Sequence, residues 1–131
     1  MDSRVYFWPG SEAEIRGVRP TEYHAYDGAV TYEDRVDAVA RWLVAAAAAA
    51  AAGSGSGVGV ASFHALYLEE PDGQGHAHGP HSEHVNAAVR RVDAALGRLR
   101  EKTGEAAWNA TNVVIVADHG GVPSGRLSDP G

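Results

Sequence analysis

Asn112-Val113-Val114-Ile115-Val116-Ala117 is a continuous apolar run that stops abruptly at Asp118-His119-Gly120-Gly121. Short runs of this kind, rich in β-branched residues, mark strands covered on both faces, the habit of a parallel sheet. Upstream, Val58 to Leu68 has the same strand character, set between a Gly-rich stretch and Pro71. Between the two lies a helical pattern. Val85, Ala88, Val89, Val92, Leu96 and Leu99 recur at three and four residues, in a helix that starts at Ser82 and that Gly104 should stop. Strand, helix, strand is a βαβ unit, with an expected right-handed crossover. The fold class is α/β.

A second helix precedes this unit. Val36, Val39, Ala40, Leu43 and Val44 form one amphipathic face, and Thr31 with Asp34 three residues on gives a start of capping-box type. The helix runs into the alanines 45–52, which favour its continuation to about Ala52, and Gly53 to Gly57 then end it. Residues 45–57 read as a low-complexity Ala/Gly/Ser insertion in a surface connection. Met1 to Gly28 carries Tyr6, Phe7, Trp8, Tyr23 and Tyr26 among Pro, Gly and charges, with neither helical nor strand period. An irregular surface segment that lines something is expected there.

Composition narrows the function. The 131 residues include 11 Lys+Arg, 17 Asp+Glu and no Cys, for a formal charge of −6. Disulfides, thiolate metal sites and a Cys nucleophile are excluded. The acidic balance argues against binding a nucleic-acid duplex by charge alone. No run of about 18 strongly apolar residues is present to span a membrane, and no signal peptide is visible. Alanines make up much of the 44% hydrophobic content. They fill little space, so the interior is thin and the chain reads as part of a larger domain.

Two polar clusters carry the chemistry. Glu69-Glu70-Pro71-Asp72-Gly73-Gln74-Gly75-His76 follows the first strand of the unit, and Asp118-His119-Gly120-Gly121 follows the second. Ligands of open α/β sheets bind outside the carboxyl ends of strands, so a βαβ unit should bring both clusters to one edge. Each cluster offers one carboxylate and one imidazole, donors that suit Zn²⁺ and similar ions. Gly73 and Gly75 disfavour a helix, so Asp72 and His76 should meet through a tight turn; Gly120 and Gly121 would let the chain bend after Asp118 and His119. His78, His81 and His84 read as solvated or substrate-neighbouring residues, and His64 as a satisfied core or packing histidine.

The motifs together resemble the nucleotide pyrophosphatase/phosphodiesterase family of the alkaline phosphatase superfamily. They are Phe7-Trp8-Pro9-Gly10-Ser11-Glu12, Gly17-Val18-Arg19-Pro20-Thr21, Tyr67-Leu68-Glu69-Glu70-Pro71-Asp72 with Gly75-His76, Val92-Asp93, and Ala117-Asp118-His119-Gly120. The resemblance implies an alkaline-phosphatase-like open, mostly parallel sheet flanked by helices, of which residues 1–131 would be a slice of one catalytic domain. It also implies two divalent metal ions, zinc in the family, with Asp72 and His76 as ligands of one and Asp118 and His119 as ligands of the other. Tyr26 falls where the family stacks the nucleotide base, Glu12 where it places an acidic residue lining that slot, and Trp8 is expected beneath the slot. The substrate implied is a nucleotide or other small phosphodiester, and the catalytic domain is expected outside the cytosol, secreted or membrane-anchored. The sequon Asn109-Ala110-Thr111 agrees with a secretory route.

The departures matter equally. The family's nucleophilic Thr and one zinc-binding Asp lie upstream of the Trp-Pro-Gly motif, a further His ligand lies downstream of Asp-His-Gly, and none of Thr21, Thr31, Thr103 or Thr111 sits in the nucleophile's motif. No catalytic residue is therefore assigned in this chain, and two ligands per ion fall short of a catalytic zinc site. The chain alone is expected to hydrolyse nucleotides poorly or not at all. Two alternatives are a superfamily hydrolase of lipid phosphodiesters, phosphonates or sulfates, and a non-catalytic descendant that keeps a metal site for binding.

Overall fold

In the computed structural model, residues 2–53 and 62–123 are described. Three strands, β1 (Asp2–Tyr6), β2 (Glu22–His24) and β3 (Ser62–Leu66), form an all-parallel sheet in the order β2-β1-β3. The α/β expectation holds, but the strands are not all where the pattern put them. Residues 1–28 contribute the central strand and one edge strand rather than only an irregular segment. In β1 the polar residues come first and the buried Val5 and Tyr6 last, so five residues display no period. Arg4 is tolerated mid-sheet because it lies 3.2 Å from Asp2 and 3.7 Å from Glu22 on the adjacent strand.

Helix α1 (Tyr32–Ala51) follows expectation closely. Thr31 Oγ1 accepts from the Asp34 amide at 3.2 Å and donates to Asp34 Oδ2 at 2.8 Å, which satisfies one of the orphan donors of the first turn. Val36, Val39, Ala40 and Leu43 are buried with Trp42, while Val44 is 43% exposed and drops off the face. Glycine 53 follows the C-cap at Ala52, as the composition required. The core gathers Tyr6 and Phe7, the buried face of α1, and Ala95 and Leu99 of helix α3 (Glu83–Asn109). Trp42 stacks on His64 at 6.0 Å. Gly104 breaks the helical course with φ +73°, as expected, but a further helical stretch follows it to Asn109.

The run 112–117 differs from its reading. It joins no ladder, and Val114, Ile115 and Val116 are 82%, 73% and 65% exposed. Strand propensity is a statement about packing against neighbours, and among the described residues no strand lies beside this segment. The strand–helix–strand unit is instead β2, α1 and β3, with β1 lying between the two strands and parallel to both. Val58 to Ala61 of the expected strand lie outside the described residues, and β3 starts at Ser62.

The chain divides into two compact units, Met1–Leu68 with Asp93–Val113, and Glu69–Val92 with Val114–Gly131. The sheet and α1 belong to the first.

Candidate metal centre

In the second unit, Asp72 to His78 form a short helix, α2, where a tight turn was expected. Each glycine costs up to about 1 kcal/mol against Ala in a helix, and Glu70 offsets that cost. Its Oε2 accepts from the Gln74 amide at 3.2 Å and its Oε1 from the Gln74 side chain at 3.0 Å. The Glu70 side chain is only 15% exposed and lies 3.5 Å from Arg91 Nη2. The helical course sets Asp72 and His76 four residues apart on one face, with His76 Nε2 3.4 Å from Asp72 Oδ1. Glu70 escaped the sequence reading. Its signal was the Glu70…Gln74 spacing of four, hidden by the two glycines.

The chain bends at Asp118. Asp118 Oδ1 accepts from the His119 amide at 3.0 Å, and His119 Nδ1 lies 3.1 Å from the Gly120 carbonyl, to which it donates. That hydrogen bond orients the ring and leaves Nε2 as the outward nitrogen, the arrangement by which outer partners prepare a metal-ligating histidine. Nε2 is 3.9 Å from Asp72 Oδ1 and 3.8 Å from Asp118 Oδ2. The Gly120 carbonyl, then the Asp118 and Asp72 carboxylates, raise the His119 pKa above the ordinary imidazole value.

Asp72, His76, Asp118 and His119 are thus brought together, with Asp72 as the meeting point. All four side chains are at least half exposed, so the cluster is open to solvent. Two oxygens and two nitrogens fit a divalent cation in kind. In number they do not complete a site: among the described residues, no group of three or more His, Asp or Glu side chains is set to hold one ion.

The neighbouring histidines are exposed, as expected of solvated residues. His78 and His84 stack on each other with centroids 3.8 Å apart. In the first unit, His64 packs against Trp42 and its Nε2 lies 2.9 Å from Ser62 Oγ. It is not fully satisfied, since Nδ1 is buried and finds no partner among the described residues. Burial, then the charge of Arg4, pushes its pKa down.

The substrate-binding candidates also lie in the first unit. Tyr26 is 56% exposed, and its ring meets Phe7 edge-on at 5.4 Å. Phe7, and not Trp8, is the aromatic packed on Tyr26; Trp8 is 44% exposed. Glu12 is exposed in the loop that follows the Trp8–Ser11 turn.

Residues 1–127 match the family of type I phosphodiesterases and nucleotide pyrophosphatases. The chain belongs to that family. Over 121 residues it is 38% identical to mouse ectonucleotide pyrophosphatase/phosphodiesterase family member 1, covering 92% of this chain and 12% of that protein. Against the venom phosphodiesterase CdcPDE of Crotalus durissus collilineatus it is 36% identical over 121 residues, 92% of this chain and 13% of the relative. The chain therefore spans about an eighth of the curated relatives it matches. Its fold is similar to that of murine ectonucleotide pyrophosphatase/phosphodiesterase 5, solved as an inactive variant in complex with AMP. The TM-score is 0.59 at 31% identity, over 76% of this chain and 24% of that one.

Proposed function

We propose that this chain supplies part of the two-metal site of a nucleotide phosphodiesterase/pyrophosphatase. The whole enzyme would hydrolyse a phosphodiester or pyrophosphate bond and release a nucleoside 5′-monophosphate. The observation that carries the reading is the approach of His76 Nε2 and His119 Nε2 to Asp72 Oδ1, at 3.4 Å and 3.9 Å, in a member of this family.

Asp72 and His76 would hold one cation, and Asp118 and His119 the other, zinc being the best match to mixed oxygen and nitrogen donors. Two such ions would neutralise the phosphoryl charge and make a hydroxyl nucleophilic at neutral pH. The residues of the chain do the positioning. Glu70 fixes the start of α2 and hence Asp72, and the Gly120 carbonyl fixes the His119 ring with Nε2 outward. Tyr26, with Glu12 nearby in the motif order, would receive the nucleotide base by stacking. Since the chain carries two ligands per ion and no assigned nucleophile, it would be inactive on its own. The enzyme that contains it would act outside the cytosol, as the prefix ecto- in its relatives' names suggests.

In the whole enzyme, His76→Ala or His119→Ala should lower kcat on a chromogenic nucleoside 5′-phosphodiester at least a hundredfold. Excess zinc should restore part of that loss. Turnover of the substituted enzyme equal to the unsubstituted one would overturn the site. No turnover by the unsubstituted, zinc-supplied enzyme would favour a binding protein instead.

A further inference from the structure

Arg35 is charged and yet only 1% exposed. It stands in the first turn of α1, and its guanidinium carbon lies 4.8 Å from the Phe7 ring centroid, 5.0 Å from Tyr32 and 5.8 Å from Tyr26. Its Nε–H donates to the Val30 carbonyl at 3.1 Å, which pins the side chain beneath the loop that leads into the helix. A desolvated cation held among ring faces is attracted to each of them, most strongly where water is excluded.

The surroundings of Tyr26 concentrate on the same point. Phe7 has φ +62°, an uncommon conformation for a bulky residue, and it puts the ring edge-to-face on Tyr26. On another side the Tyr26 hydroxyl folds over Gly28, where an added Cβ would come within 3.3 Å of it. Tyr26 nonetheless sits in a loop with no regular structure and keeps more than half its surface in solvent. A loop tyrosine loses rotamer freedom when it stacks on a ligand, and affinity gains if that freedom has already been removed.

We infer that Arg35 is a positioning residue that holds the Tyr26 ring ready to stack on the base of a nucleotide. It acts through Tyr26 and Phe7 and does not itself touch the substrate. The inference rests on the reading of Tyr26 as the base slot given above, and the experiment separates the two.

The chain, unsubstituted and as Arg35→Met and Tyr26→Ala, is titrated by NMR with AMP and with ribose 5-phosphate, which lacks the base. Arg35→Met keeps length and apolar packing and removes the cation. The AMP Kd should rise about tenfold in both variants, while ribose 5-phosphate binds all three alike; Arg35→Lys should recover part of the loss. A Tyr26→Ala effect without an Arg35→Met effect overturns the positioning role and leaves the slot standing. AMP bound no tighter than ribose 5-phosphate by the unsubstituted chain overturns the slot and the inference together. Ring relaxation of Tyr26 in the unsubstituted chain needs no variant: an ordered ring supports the role, and one as mobile as a free surface tyrosine overturns it.

Discussion

Asp37 and Arg98 are 61 residues apart in sequence and meet through two parallel hydrogen bonds, Nε to Oδ1 and Nη2 to Oδ2, each 2.7 Å. The fork geometry is what distinguishes this pair from an ordinary surface ion pair. The hydrogen bonds from Arg98 hold the Asp37 carboxyl below the ordinary carboxylate range, against a desolvation that pulls it up; the charges of Arg98, Lys102 and Arg41 add to the lowering. A depressed pKa in the folded chain contributes stability that is present above the unfolded value, about 3.9, and is lost as pH falls through the folded value. Asp37→Asn should therefore lower the urea midpoint at pH 6 more than at pH 2.5, the gap closing below about pH 4. A gap that stays constant over that range would show that the carboxylate is not what Arg98 stabilises. Nothing in the sequence marks Asp37 or Arg98, because a contact across 61 residues leaves no local pattern.

At the scale of the element, α2 is the test of how local preference and local capping compete. Gly73 and Gly75 argue for a turn, whereas the Glu70 carboxylate on Gln74 argues for a helix, and the helix forms. A Cβ at Gly75 would meet nothing within 4 Å, so Gly75→Ala is free of steric penalty. It should raise stability by about 0.5–1 kcal/mol through the lower entropy of the unfolded chain. A lowered thermal midpoint would mean that α2 is not the native course of residues 72–78. Elsewhere, legibility follows the amount of repeated signal. α1 and the body of α3 are legible because Val36, Val39, Ala40 and Leu43, or Ala88, Val92, Leu96 and Leu99, repeat over several turns, although Val89 of the read face is 49% exposed. β1 is not, since five residues that begin with Asp2, Ser3 and Arg4 hide a central strand. The 112–117 run shows the reverse error: its apolar character is a real preference with no adjacent strand among the described residues to satisfy it. Asp72, His76, Asp118 and His119 lie near one another through an i,i+4 helical pair and a bend, and not through the two strand ends that the sequence led one to expect.

For the molecule as a whole, burial is unevenly divided. Among the described residues, the buried apolar side chains all belong to the first unit except Ala88. The unit that carries the Asp–His cluster is held by polar contacts such as Glu70 with Gln74 and Arg91, and by the stack of His78 on His84. Regions with few buried apolar contacts open locally at low free energy, and an ion that binds only the closed form stabilises it by mass action. Free Zn²⁺ at about ten times its Kd should then slow amide hydrogen exchange across residues 72–78 about tenfold. Exchange in α1, whose Val36 is fully buried, should not change. Loose binding by the histidine-rich surface would also give some protection, so the variants decide the source. Asp72→Asn and His76→Ala should abolish the effect of zinc, and His84→Ala should leave it intact. Protection that survives the first two substitutions and disappears with the third would move the ion away from Asp72 and onto the stacked histidines, and the two-metal reading of this chain would lose its ligands.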